Sequence, residues 1–226
     1  MDKLNLGLLG KKYLDTTYYF NNFSLSETNI PCKVVKSHGG IFNFKKIDKE
    51  INFHFFEKGL TQAKIISDLK TSTRTSILKK TKDYKTPNIR YSSIDWLHIS
   101  YLDDITDIDN IKFEVPVSVD FCKNENRAKY LDALNKCSLI FDSRERKYLY
   151  KNINIKTPII FHDPYGCECI INQQIVHTFS CEPIKNINVN GAGDIFCGFF
   201  IYYLYNNNMK TAISKSCVET TNILQK

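Results

Sequence analysis

Residues 188–205 read NVNGAGDIFCGFFIYYLY. Polar turn residues run into Gly191-Ala192-Gly193, and an apolar stretch from Ile195 to Tyr205 follows. That stretch falls short of the ~20 apolar residues of a membrane span and reads as a buried helix. A glycine-rich turn at the head of a helix leaves backbone N–H groups unpaired at the positive end of the helix dipole, which makes a ready anion site. Glycine suits the place because the backbone approaches the anion closely, with torsions that a Cβ would hinder. Asp194 follows in the first turn, where its carboxylate reaches the same spot. An anion held on amides with a carboxylate beside it describes phosphoryl transfer. The carboxylate takes the proton of an attacking hydroxyl while the amides hold charge developing on the transferred group. Taken alone, G-A-G-D also reads as a helix cap with Asp as the capping residue. Gly198, one turn on, lets the helix pack tightly against a neighbour.

Working outward, apolar runs rich in β-branched residues alternate with amphipathic segments. The pattern predicts strands at Leu4–Leu9, Trp96–Ser100, Val115–Asp120, Ser138–Phe141 and Pro158–His162, and helices at Asn126–Lys136, Arg144–Lys151, Gly193–Tyr205 and Lys210–Leu224. Strands separated by helices argue for an α/β fold, with a mostly parallel central sheet and helices on both faces. Asp120 and Asp142 close two of these strands, and in open α/β sheets ligands gather at the carboxyl ends. Two stretches, 16–35 and 71–78, alternate Thr, Ser, aromatic and β-branched residues and read as a small β lid outside the main sheet. Cys167–Asn172 and Gln174–Phe179 read as a hairpin. At 226 residues the chain is expected to be one domain, 1–226.

The 31 Lys and Arg outnumber the 24 Asp and Glu, and the excess is concentrated between Lys64 and Arg90, with eight basic and two acidic residues. A solvated lysine-rich segment is the plain reading of that window. It interleaves no aromatics with the basic residues as single-strand binders do, so no nucleic-acid partner is expected. The eight cysteines form no C-x-x-C pair, and a zinc site would need a second close-spaced pair. The N-terminal MDKLNLGLLGKKYLD is broken by Lys11 and Lys12 and offers no small-residue cleavage site. Reduced thiols in a cytoplasmic protein without membrane contact are the expectation.

Residues 188–198 resemble the D-T-T-G-A-G-D-x-F-x-G segment of the ribokinase-like (PfkB) carbohydrate kinase family: the G-A-G-D core, Phe196 and Gly198 match, and Asn188-Val189-Asn190 replaces D-T-T. The resemblance implies a ribokinase-like fold, ATP and Mg²⁺ as cofactors, and phosphoryl transfer to a hydroxyl of a sugar or sugar-like small molecule. Asp194 becomes the catalytic base, and Gly191, Ala192 and Gly193 the anion hole. Family members open with a strand and a G…D pair, here Leu4–Gly10 and Asp15, and continue with a G-G…N element, here Gly39, Gly40 and Asn43. These four residues would bind the acceptor. Without the resemblance, Asp15 reads as a turn aspartate and Gly39-Gly40 as a tight turn. The N-x-x-E motif, associated with magnesium, aligns with Asp142 and Glu145, Asp replacing Asn. A register one residue on would place Ser143 and Arg146 there and break the motif.

The nucleotide side matches less. Of T-x-G-x-x-G only Gly166 is kept, with Phe161 and Asp163 at the other positions, and Cys217 falls where members line the adenine pocket. The chain is shorter than a usual member and stops before the closing elements most members carry. A catalytically decayed protein that binds sugar or nucleotide as a sensor is therefore the competing reading. The intact Gly191–Asp194 core opposes it, since a sensor has no need of a base there. The second lid segment lies inside the basic window, which admits a phosphorylated or acidic substrate, with Arg74 as the residue to test. Exposed lid edges offer a homodimer contact.

Overall fold

The computed structural model describes residues 3–78, 83–184 and 187–226. Lys79, Lys80 and Lys82 of the basic window lie outside them. In chain order the elements are β1 (Leu4–Phe20), β2 (Lys33–Gly40), β3 (Ile51–Asp68), β4 (Thr73–Leu78), β5 (Trp96–Ile99), β6 (Val117–Val119), α1 (Leu131–Lys136), β7 (Leu139–Ser143), β8 (Ile159–Asp163), β9 (Gly166–Ile171), β10 (Gln174–Ser180), α2 (Ala192–Asn206) and α3 (Met209–Leu224). The strands form one sheet in the order β10-β9-β8-β7-β6-β5-β1-β3-β4, with β2 also paired to β1. From β3 through β1 to β8 every pairing is parallel, whereas β2, β4, β9 and β10 join antiparallel.

The lid is not a separate pair of strands. β1 and β3 each run on past the core, so that Leu6–Leu9 pair with β5 while Lys12–Tyr19 pair with β2. Residues 16–35, expected as lid strands, are thus the end of β1, a connecting loop and the start of β2. The sequence reading also missed β3 altogether. The register of β1 against β3 shifts between Gly10 and Lys12, where Gly59 sits at φ +77. An extra residue in one strand bends a sheet, and beyond the shift Ala63 and Ile65 of β3 line the same cavity as Asp120 and Ser143 at the ends of core strands.

Alternation along the strands builds two cores. Leu4, Leu6 and Leu8 face one side with Phe141, Ile160 and the inner faces of α2 and α3. Leu9, Leu97, Ile99, Val117, Val119 and Ile140 face the other. α2 is buried from Asp194 to Tyr203, as its apolar sequence predicts. A Cβ on Gly198 would lie 2.1 Å from Ile47 Cδ1, so the glycine does permit the close packing read from the sequence. The second face is covered more thinly, by α1 and by 3-10 turns. The expected helix 126–136 divides into a 3-10 turn at Arg127–Tyr130 and the six-residue α1, and the expected helix 144–151 is a 3-10 turn at Arg144–Tyr150. The hairpin of β9 and β10 forms as expected. No helix among the described residues is long and apolar enough to cross a membrane.

Candidate active site

The carboxyl ends of the core strands, the lid and the head of α2 enclose a cavity of about 960 Å³. Gly191 caps α2 with φ +79, and a Cβ there would lie 2.4 Å from Asn43 Cγ, so the glycine answers both a left-handed torsion and a close neighbour. Asn43 uses that space to donate from Nδ2 to Asp194 Oδ2 at 2.8 Å. The Ala192 amide is spent on Val189 O at 3.2 Å, which removes it from the expected anion hole. Among the described residues the Gly193 and Asp194 amides carry no such bond and remain the donors at this helix end. Asp194 is 6% exposed, and burial pushes its carboxyl up to about 6. The Asn43 hydrogen bond and the charges of Arg74 and Lys46 work against that rise, and Asp15 adds to it. A carboxylate near neutrality in a cavity has the affinity for protons that a general base needs.

The lid supplies the acceptor side. Asp15 is buried on the inner face of β1 and accepts from Asn190 Nδ2 at 3.2 Å, while Arg74 Nη1 donates to Asn190 Oδ1 at 2.7 Å. A Cβ on Gly39 would lie 2.2 Å from Asp15 Oδ2, and Gly40 turns the chain at φ +62. Asp15, Gly39, Gly40 and Asn43 thus converge beside Asp194. Burial raises the Asp15 carboxyl, and Asn190, Arg74, Lys46 and His38 partly offset the rise.

Three contributors escaped the sequence reading as site residues. Asn190 counts there only as a departure, yet it bridges Arg74 to Asp15, and its signal was a short amide next to the glycine turn. Tyr101 lines the cavity in the left-handed region at φ +69, a strained setting for a bulky residue, with its ring edge-on to Tyr13 at 6.2 Å. The charge of Asp194, and then burial, holds its hydroxyl well above the usual range. Asp120, read only as a strand end, is buried on the cavity wall, and burial with the nearby Asp142 charge raises its carboxyl.

The pair Asp142 and Glu145 does not fit a magnesium ion. Asp142 is fully buried, and both of its oxygens are taken. Oδ2 accepts from Arg127 Nε at 3.1 Å, Arg127 Nη2 at 2.9 Å and Tyr150 Oη at 2.8 Å. Oδ1 accepts from Arg146 Nε at 2.5 Å and from its neighbour Ser143's amide at 2.8 Å. Two guanidiniums supply the positive charge that a cation would bring, so Asp142 is an ion-pair anchor. Glu145 stands exposed on the cavity wall without an ion pair among the described residues. A second acidic group, Asp103, Asp104 and Cys122, has its ligand atoms within 4.8 Å of one another. There Lys11 Nζ at 2.8 Å and Lys123 Nζ at 3.0 Å already neutralise Asp104.

On the nucleotide side, Gly166 and Cys217 both line the cavity. Gly166 has φ +126, and a Cβ on it would lie 2.0 Å from Phe179 O, so the hairpin alone demands glycine there. The Cys217 Sγ lies 3.5 Å from that of Cys167, and all eight cysteines are free thiols. The His162 ring lies tilted by 33° against Phe196 at a centroid distance of 4.9 Å, with Nε2 buried and unpaired among the described residues, and burial lowers it to about 4.

Comparisons with protein-family models and with curated proteins find no match. Solved structures do match over nearly the whole chain. A nucleoside kinase of Methanocaldococcus jannaschii, an archaeal member of the ribokinase family, shares 13% identity at a TM-score of 0.73, over 99% of this chain and 93% of that one. The Cryptococcus neoformans ribokinase, solved with ADP, shares 11% at 0.72, over 100% and 95%. A Burkholderia thailandensis nucleoside kinase, solved with inosine, shares 10% at 0.69, over 98% and 91%. The fold of this chain is ribokinase-like, as the resemblance implied.

Proposed function

We propose that the protein transfers the γ-phosphoryl group of ATP to a hydroxyl of a sugar or sugar-like molecule. The observation that carries this reading is Asp194, a buried carboxylate near neutral pKa, held by Asn43 at the head of α2 with two amides beside it. Asp15 and Asn190 orient the acceptor hydroxyls, each offering an oxygen or amide to a neighbouring pair. Asp194 takes the proton from the attacking hydroxyl, and the Gly193 and Asp194 amides face charge as it builds on the phosphoryl oxygens. The bent lid covers the acceptor and excludes water. Solved proteins of this fold bind ADP and inosine, which agrees with a cavity that takes a nucleotide and a sugar-bearing acceptor. Asp142, committed to arginines, is given no part in holding Mg²⁺ in this reading.

That same commitment favours a second reading, a sensor on this fold whose nucleotide side has changed. A coupled ATP-consumption assay over sugars, phosphosugars and nucleosides, run on wild type and Asp194→Asn, decides between them. The kinase reading expects one acceptor to stimulate turnover and the variant to lose it by about 10²- to 10⁴-fold. Silence over the whole panel, from a folded protein that gains thermal stability with the acceptor alone, supports the sensor.

A further inference from the structure

Resting on the kinase reading of this cavity, we infer that the acceptor carries an anionic group, a phosphomonoester or a carboxylate, at the end remote from the reacting hydroxyl, and that Arg74 receives it. The β3–β4 register sets Arg74 opposite Ser67 and Ser76 opposite Ile65. Arg74 and Ser76 lie on the same sheet face as the buried Ile65 and Ser67, and both line the cavity while remaining exposed. In the β1–β3 register Asp15 pairs with Ala63, four residues before Ser67. Arg74 therefore stands two side-chain rows up the lid from Asp15, on the side away from the core.

From there one Nη reaches back to Asn190 Oδ1 at 2.7 Å. Among the described residues Arg74 forms no ion pair and its guanidinium makes no other hydrogen bond. A neutral sugar already has the buried Asp15, Asn190 and Asn43 to answer its hydroxyls, while the Arg74 guanidinium, which holds Asn190 and whose charge is felt at Asp15 and Asp194, keeps further donors that none of these residues takes. A planar fork with one edge engaged and the other open suits a pair of anionic oxygens. The Ser76 hydroxyl on the same strand face can donate to a third.

Calorimetric titration without nucleotide tests the assignment independently of turnover. The probes are ribose 5-phosphate against ribose, fructose 6-phosphate against fructose, and gluconate against glucose. We expect an anionic member to bind at least tenfold more tightly than its parent. Arg74→Gln should weaken that member by about 10- to 100-fold more than it weakens its parent, whose smaller loss measures the Asn190 contact alone. Whether the phosphorylated sugars or gluconate show the margin identifies the anion. Equal affinity for charged and neutral members overturns the inference, as does an Arg74→Gln variant that weakens both alike, since Arg74 would then only position Asn190. An anion preference without turnover would leave the binding assignment standing and defeat the kinase reading. Turnover of a neutral acceptor, indifferent to Arg74→Gln, would do the reverse.

Discussion

Asn43 and Asp194, 151 residues apart in the chain, meet at 2.8 Å over a glycine whose missing side chain leaves the space for their contact. The contact joins the turn after β2 to the head of α2, and so ties the acceptor side of the cavity to the base. It also sets the base's proton affinity, because a hydrogen bond to the ionised carboxylate opposes the rise that burial imposes.

Replacing Asn43 with Ala should therefore raise the Asp194 pKa above its present value of about 6. Asp194 accepts a proton only when ionised, so the rate should fall as pH drops through about 6 in the wild type. In Asn43→Ala the same acidic limb should move to higher pH, with a larger loss at pH 6 than at pH 8. Profiles of kcat measured from pH 5 to 9 check this. An unmoved limb would mean that another group governs it.

Gly191→Ala puts a Cβ into two conflicts at once, a torsion of +79° and a distance of 2.4 Å from Asn43 Cγ. The torsional strain alone costs on the order of 1–3 kcal/mol. Asn43 can relieve the clash only by leaving Asp194. Chemical denaturation should show the stability loss, and turnover should fall by at least the ~10²-fold expected for a misplaced base. Gly59→Ala makes the comparison, since its φ is +77 but nothing lies within 4 Å of its Cβ position. It should lose stability without a matching loss of turnover.

What was legible in the sequence was local. A glycine turn, an aspartate in the first helical turn and an apolar run are neighbours in the chain, and their physics needs no partner from elsewhere. β3 escaped because its two-residue alternation, N-F-H-F-F-E-K-G-L-T-Q-A-K-I-I, slips at the Gly59 bulge, and a strand of 18 residues looks like two broken pieces. The fate of Asp142 escaped for the opposite reason. Arg146 is within its own turn, but Arg127 arrives from 15 residues upstream across the sheet face, and no spacing rule announces that capture.

The capture makes its own prediction. Asp142→Asn leaves Arg146 and the fully buried Arg127 without their shared counter-ion, with Arg127 keeping, among the described residues, only the Asp103 carboxylate at 4.0 Å. Breaking a buried pair by removing one partner costs about 3–5 kcal/mol. Denaturant midpoints should fall accordingly, with no shift in the magnesium concentration needed for half-maximal turnover. A stable variant with an altered magnesium requirement would restore Asp142 as a ligand.

His98 is one group that lowers stability at low pH. Its ring lies in the core against Phe44 and Phe141, at centroid distances of 5.2 and 5.9 Å. Ser118 Oγ, which accepts from Trp96 Nε1 at 2.9 Å, stands 2.9 Å from His98 Nδ1. Burial lowers the imidazole to about 3, so the fold accepts only the neutral ring. Between that value and the ordinary histidine pKa of about 6.5, the unfolded chain binds a proton that the folded chain does not. The unfolded state then holds more protons, so stability rises with pH in that interval and is lost as pH falls below about 6.5. From pH 7 to pH 4 the loss from this one group should be on the order of 3 kcal/mol. Asp194, Asp15 and Asp120 work in the other direction, since a raised carboxyl pKa favours the fold as pH drops, while the buried His162 works with His98, and the total pH dependence mixes all of these. Comparing wild type with His98→Gln isolates the histidine. The variant should be the less stable protein at pH 7, where it forfeits the fitted ring, and its disadvantage should shrink or reverse by pH 4. Parallel stability curves across that range would mean that the ring takes up its proton in place.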